Sequence, residues 1–115
     1  MIIITKVFQK ELKWYEKSLL DEIISLIKKY HRGLDKNLFV LQEHEDYVVL
    51  KWYLAWKNIR ILIARYPEPY YVPLLLLKKE SKTGWNIRED FDIEIPMKKA
   101  ETCFQNKEFE TFDIT

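Results

Sequence analysis

YVVLKWYLAWKNIRILIARYPEPYYVPLLLLKKESK, running from Tyr47 to Lys82, is the stretch on which the fold turns. It holds three apolar, β-branched and aromatic runs, separated by Trp56-Lys57-Asn58 and by Tyr66-Pro67-Glu68-Pro69. Runs of this make-up between turn residues predict successive strands of an antiparallel meander. Cations sit inside the apolar runs at Lys51, Arg60 and Arg65, and Lys78, Lys79 and Lys82 follow where the third run gives out. Strand side chains alternate between faces, so Lys51 should point with Val49 and Tyr53, away from Leu50, Trp52 and Leu54. Several cations on one open sheet face would make a site for an anion. An ordinary solvated sheet face is the competing account of Lys51 and Arg60.

Upstream, Met1 to Thr5 reads as a short β-branched strand. Phe8, Leu12, Tyr15, Leu19, Ile23, Ile27 and Tyr30 then recur at spacings of three and four, which predicts helix. Ser18 with Asp21 three residues on would cap a second helix and make a helical hairpin jointed near Lys17. Lys28, Lys29, His31 and Arg32 precede Gly33, a distribution that helix ends favour for structural reasons alone. Gly33 to Asn37 reads as a loop, Leu38 to Leu41 as a strand, and His44-Glu45-Asp46 as the turn into the meander. Downstream, Phe91-Asp92-Ile93-Glu94-Ile95 alternates like an edge strand or extended arm. Pro96 suits the first turn of a short closing helix carrying Met97, Ala100 and Phe104. The fold class expected is α+β: an N-terminal helical hairpin packed on a small antiparallel sheet, with a short C-terminal helix.

At 115 residues the chain reads as one domain, residues 1–115, with an apolar fraction of 48% and only two glycines arguing for a compact globule. Its single cysteine, Cys103, cannot form an internal disulfide and reads as a buried thiol, in keeping with a reducing cytoplasm. No apolar run approaches membrane-spanning length, so a soluble cytoplasmic protein is expected. The net charge of +1 conceals a division. Residues 51–88 hold eight basic and two acidic residues, for +6, whereas residues 89–115 hold three basic and eight acidic, for −5. The positive segment points to an anionic partner, a phosphate backbone or an acidic protein surface, unless the two segments neutralise each other in the fold.

Several chemistries are not encoded. His31, His44 and Cys103 lie in unrelated segments and make no zinc pattern. Two glycines cannot supply a dinucleotide or P-loop fingerprint. Neither histidine is placed beside a serine at a strand end for hydrolase chemistry. Pro67-Glu68 followed by Glu80-Ser81-Lys82 has the outline of a PD-(D/E)xK metal nuclease, but the pattern is degenerate and Glu68 falls in a turn between two prolines, so chance accounts for it better.

A helical hairpin before an antiparallel meander, Lys51 nine residues ahead of Arg60, and an apolar strand ending in Lys78-Lys79-Glu80-Ser81-Lys82 resemble the RelE/ParE superfamily of bacterial toxins. The Leu74-Leu75-Leu76-Leu77-Lys78-Lys79 run is most similar to its HigB-like branch. The resemblance covers Phe8 to about Trp85. It implies a toxin that enters the ribosome and cuts messenger RNA without a metal or cofactor, the ribose 2′-hydroxyl attacking the adjacent phosphate. Carried over by position, Lys51 would be the base and Arg60 the phosphate clamp, with Lys79 and Lys82 completing the catalytic set. Lys79 stands where the family usually carries arginine, and Trp85 where an aromatic stacks on the base. Arg65, Lys78 and Arg88 would add nucleic-acid contacts. The implied partners are a cognate antitoxin, the ribosome and messenger RNA. The resemblance leaves two other readings open: a ParE-like toxin that binds DNA gyrase without chemistry, and an inactive relative that only binds its antitoxin.

Overall fold

In the computed structural model, residues 1–34, 38–54, 58–78 and 92–115 are described. Along the chain they form β1 (Ile2–Thr5), α1 (Lys6–Leu12), α2 (Leu19–His31), β2 (Leu38–Glu43), β3 (Val48–Leu54), β4 (Ile59–Tyr66), β5 (Tyr70–Lys78), α3 (Glu94–Gln105) and β6 (Phe109–Phe112). The fold is α+β. Its six strands make one mixed sheet in the order β2-β3-β4-β5-β1-β6.

Of the meander expected between Tyr47 and Lys82, the described residues form all three strands, β3, β4 and β5. β3 pairs antiparallel with β4 from Val48↔Arg65 to Leu54↔Ile59, and β4 with β5 from Tyr66↔Tyr70 to Ile59↔Lys78. β2 adds antiparallel to β3. The sheet is nevertheless not purely antiparallel. β1 lies parallel beside β5, with Ile2 opposite Tyr71, and β6 pairs antiparallel with the other edge of β1. Two helices between β1 and β2 allow the first strand to return to the far side of the meander, where Tyr71 N–H donates to the Met1 carbonyl at 3.0 Å.

β4 explains why both sheet faces are covered. Ile59 to Ala64 are all buried, and alternation sends Ile59, Ile61 and Ile63 one way and Arg60, Leu62 and Ala64 the other. On the first face, Leu19, Ile23, Leu26 and Ile27 of α2 join Leu50, Trp52, Leu54 and the three isoleucines in one core. On the second, Met97 and Ala100 of α3 close over Val49, Leu62, Ala64, Val72 and Leu74. In β5 the register slips between Leu62 and Ile63, opposite Leu75 and Pro73. A proline has no N–H for the ladder, and a bulge is where an interior strand tolerates one.

The helices depart from a hairpin of comparable rods. α1 is seven residues long and docks against β5, β1 and α3, whereas α2 is thirteen. The Thr5 hydroxyl caps α1 by accepting from Phe8 N–H at 3.1 Å; Ser18 occupies the N-cap of α2 but its side chain makes no capping bond. α2 stops at a Schellman turn, with Gly33 at φ 74° and the N–H groups of Gly33 and Leu34 donating to the carbonyls of Tyr30 and Lys29 at 2.9 and 2.8 Å. The extended arm expected over Phe91 to Ile95 gives way to helix at Glu94, whose N–H donates to Asp92 Oδ1 at 2.9 Å. That carboxylate holds the first turn, Pro96 fits inside it, and Met97, Ala100 and Cys103 become the buried stripe. No helix among the described residues is long and apolar enough to cross a membrane.

Two outcomes follow for stability. Ile23 is fully buried beneath α2, so Ile23→Ala should cost about 2–5 kcal/mol, read as a lower urea midpoint with an unchanged slope. Glu11, on α1, has its carboxyl pushed above the usual carboxylate range, chiefly by burial and in spite of a backbone hydrogen bond from Leu76 and the nearby Lys99. Because the folded chain binds that proton more tightly than the unfolded chain, the Glu11 contribution to stability declines as pH rises through the unfolded and then the folded value. Glu11→Gln should therefore raise the melting temperature at pH 7. The gain should shrink on acidification and vanish below the ordinary glutamate value, as followed by thermal melts across pH.

Candidate nucleic-acid interface

Register fixes which cations meet. Tyr53 stands opposite Arg60, and Lys51 opposite Leu62, so Lys51 and Arg60 are diagonal neighbours on one face. Such neighbours sit roughly 7–8 Å apart, within reach of long side chains. The Arg60 guanidinium lies over the Tyr53 ring, its Cζ 4.8 Å from the centroid. Tyr53 is held in turn by its hydroxyl, which donates to Asn58 Oδ1 at 3.1 Å. Asn58 adopts a left-handed backbone, φ 53°, at the entry to β4. Asparagine is among the few residues that tolerate this conformation, so the turn sets the amide under the tyrosine and the tyrosine under the arginine.

On the other side of Lys51, Phe39 of β2 is its direct cross-strand partner and is 57% exposed. The face thus presents an aromatic edge, a half-buried lysine, a half-buried tyrosine and an arginine across three strands. Aromatic rings interleaved with cations are what single-stranded nucleic acid needs, rings for the bases and charge for the phosphates. In the sequence Phe39 had no signal of its own, and Asn58 only that of a turn residue. Phe39 belongs to an apolar strand, and only its edge position turns it outward.

The expectation of cations gathered on one open face holds in part. Lys51 and Arg60 are together, but Arg60 is only 6% exposed, lying flat on the tyrosine. Arg65 is on the opposite face. It pairs with Val48 at the α2 side of the sheet and interacts with the Tyr71 hydroxyl. An odd separation from Arg60 on a strand without a bulge against β3 requires this. The backbone of Lys78 pairs with Ile59 at the end of β5. Lys79, Lys82, Trp85 and Arg88 lie outside the described residues. Scans against family models, curated proteins and solved structures each find no match to this chain.

The tyrosine platform can be measured. Tyr53→Phe keeps the ring beneath Arg60 but loses the bond to Asn58, and should cost about 0.5–1.5 kcal/mol. Tyr53→Leu removes the platform as well and should cost a further 0.5–2 kcal/mol or so. Equal losses for the two variants in urea denaturation would show that the ring does not support the guanidinium.

Proposed function

We propose that this chain is a RelE/ParE-like toxin, a ribosome-dependent, metal-independent endoribonuclease that arrests translation in the cytoplasm and is neutralised by a cognate antitoxin. The observation that carries the reading is the placement of Lys51 and Arg60 as diagonal neighbours on one sheet face, with Tyr53 opposite Arg60 and Phe39 exposed beside Lys51. The order of elements, two helices before an antiparallel meander and a helix after it, supports a RelE-like arrangement.

In the proposed reaction Lys51 takes the proton of the ribose 2′-hydroxyl, and that oxygen forms a bond to the adjacent phosphorus. The bond from phosphorus to the 5′ oxygen breaks, and an acid returns a proton to the leaving oxygen. Arg60 offsets the charge growing on the phosphoryl oxygens. Lys79 and Lys82 are assigned to the same phosphate and Trp85 to the base; Lys78 and Arg88 are assigned to the flanking strand, and Arg65, on the opposite face, is left out of this site. The products would be a 2′,3′-cyclic phosphate and a 5′-hydroxyl.

The low exposure of Arg60 favours a second reading, in which the chain binds a target such as DNA gyrase and breaks no bond. Expression should arrest growth, and Lys51→Ala, at a half-buried position that tolerates truncation, should relieve the arrest at unchanged protein level. Cleaved messages should carry cyclic phosphate ends, insensitive to chelator. Inhibited supercoiling with intact messenger RNA would transfer the proposal to the second reading, and full toxicity in Lys51→Ala with cleavage preserved would remove Lys51 from the reaction.

A further inference from the structure

A second concentration of donors lies on the face away from Lys51, between the end of α2 and the β4–β5 hairpin. There a cleft of about 520 Å³ is lined by Tyr30, His31, Arg65, Tyr66 and Tyr71, with Pro67 from the hairpin turn. Its floor is built from the core. The Tyr71 ring is 2% exposed and is held edge-on by Tyr30 and by His31, with centroids 6.3 and 5.9 Å away and interplanar angles of 86° in each case. That packing brings the Tyr71 hydroxyl to 3.2 Å from His31 Nδ1, and Arg65 bonds to the same oxygen from β4. Three donor-bearing groups from two strands and a helix therefore converge on one point at the bottom of an open cleft.

The charge around that point has one sign. None of the described lining residues is acidic. The last turn of α2 contributes Tyr30 and His31 to the lining. The end of a helix ordinarily repels an anion, but here its carbonyls are occupied: Lys28, Lys29 and Tyr30 accept from Arg32, Leu34 and Gly33. Glu68, at the exposed tip of the hairpin, lies between the two prolines and outside the lining. Burial raises the Tyr71 phenol above its usual range, so at neutral pH it remains a hydroxyl able to donate. The Tyr30 ring stands at the side of the cleft, and proline fixes the backbone of the turn that carries the rim. Cations and hydroxyls at the bottom with a ring at the side fit a phosphate attached to a flat heterocycle.

We infer that the cleft formed by Arg65, Tyr71, His31 and Tyr30 binds the phosphate of a nucleotide, either a free nucleoside monophosphate or the phosphorylated end of a single strand. Arg65 and the Tyr71 hydroxyl hold the phosphoryl oxygens, His31 adds a donor, and Tyr30 flanks the base. The site is separate from the Lys51 face and does not rest on the ribonuclease reading.

The test is titration of the intact chain with adenosine monophosphate, adenosine, and an oligonucleotide with and without a 5′-phosphate, read by calorimetry and by amide shifts. Saturable binding of the monophosphate should shift residues around His31, Arg65 and Tyr71, with adenosine at least tenfold weaker. Arg65→Gln should weaken binding tenfold or more and Tyr71→Phe severalfold, with circular dichroism unchanged. Tighter binding of the free monophosphate or of the phosphorylated strand identifies the source, and either supports the site. Equal affinity for adenosine, undiminished binding in folded Arg65→Gln, or no saturation at millimolar nucleotide would overturn it.

Discussion

Every feature of this molecule answers to the burial of β4 on both sides. Six consecutive residues, Ile59 to Ala64, are buried, and a strand in that condition needs a neighbour at each edge and a layer over each face. β3 and β5 supply the edges along almost the whole strand. α2 and α3 supply the layers, each with its own cluster of apolar side chains. Fully burying an aliphatic side chain contributes about 1.5–3 kcal/mol, so this strand and its two covers outweigh the local preferences of the elements at the periphery. The single charge inside that stretch, Arg60, is accommodated because Tyr53 offers its ring face and because the guanidinium lies near the end of the strand.

Burial of one strand also governs where chemistry can be placed. The middle of the sheet is closed, so polar groups collect where strands end. At one end are the β3–β4 turn with Asn58, Tyr53 and Arg60. At the other are the β4–β5 hairpin and the terminus of α2, with Arg65, Tyr71 and His31. The two arginines of β4 lie at opposite ends of the strand and on opposite faces of the sheet. One strand thus equips two separate surfaces.

The central sheet was legible from composition and turn residues, because three apolar runs with proline and asparagine between them admit little else. The face shared by Lys51 and Tyr53 was legible from period alone. That Arg60 and Arg65 diverge was also contained in their odd spacing; the sign of their charge had drawn them together, where position separates them. Other features were beyond local reading. Glu94 and Ile95 alternate with their neighbours like a strand, and the helix wins because Asp92 caps it and Met97, Ala100 and Cys103 find the sheet beneath. The partnership of β1 with β5 and β6 depends on residues far apart in the chain, for which short-range pattern carries no signal. The half-exposed Phe39 follows from β2 being at an edge, which is a property of the whole sheet.

The position of β1 has a consequence for how the protein comes into being. It precedes the other described strands, yet its partners are β5 and β6, so it sits in the sheet between the last two strands among the described residues. Contacts across so long a loop of chain form slowly, since the intervening segment must first give up its freedom. During synthesis Ile2 and Ile4, both wholly buried in the folded molecule, must wait for β5 and β6 to emerge. A nascent chain stalled anywhere before Phe109 carries an apolar strand with an unsatisfied edge, and the final four-residue strand is the latch that ends that exposure.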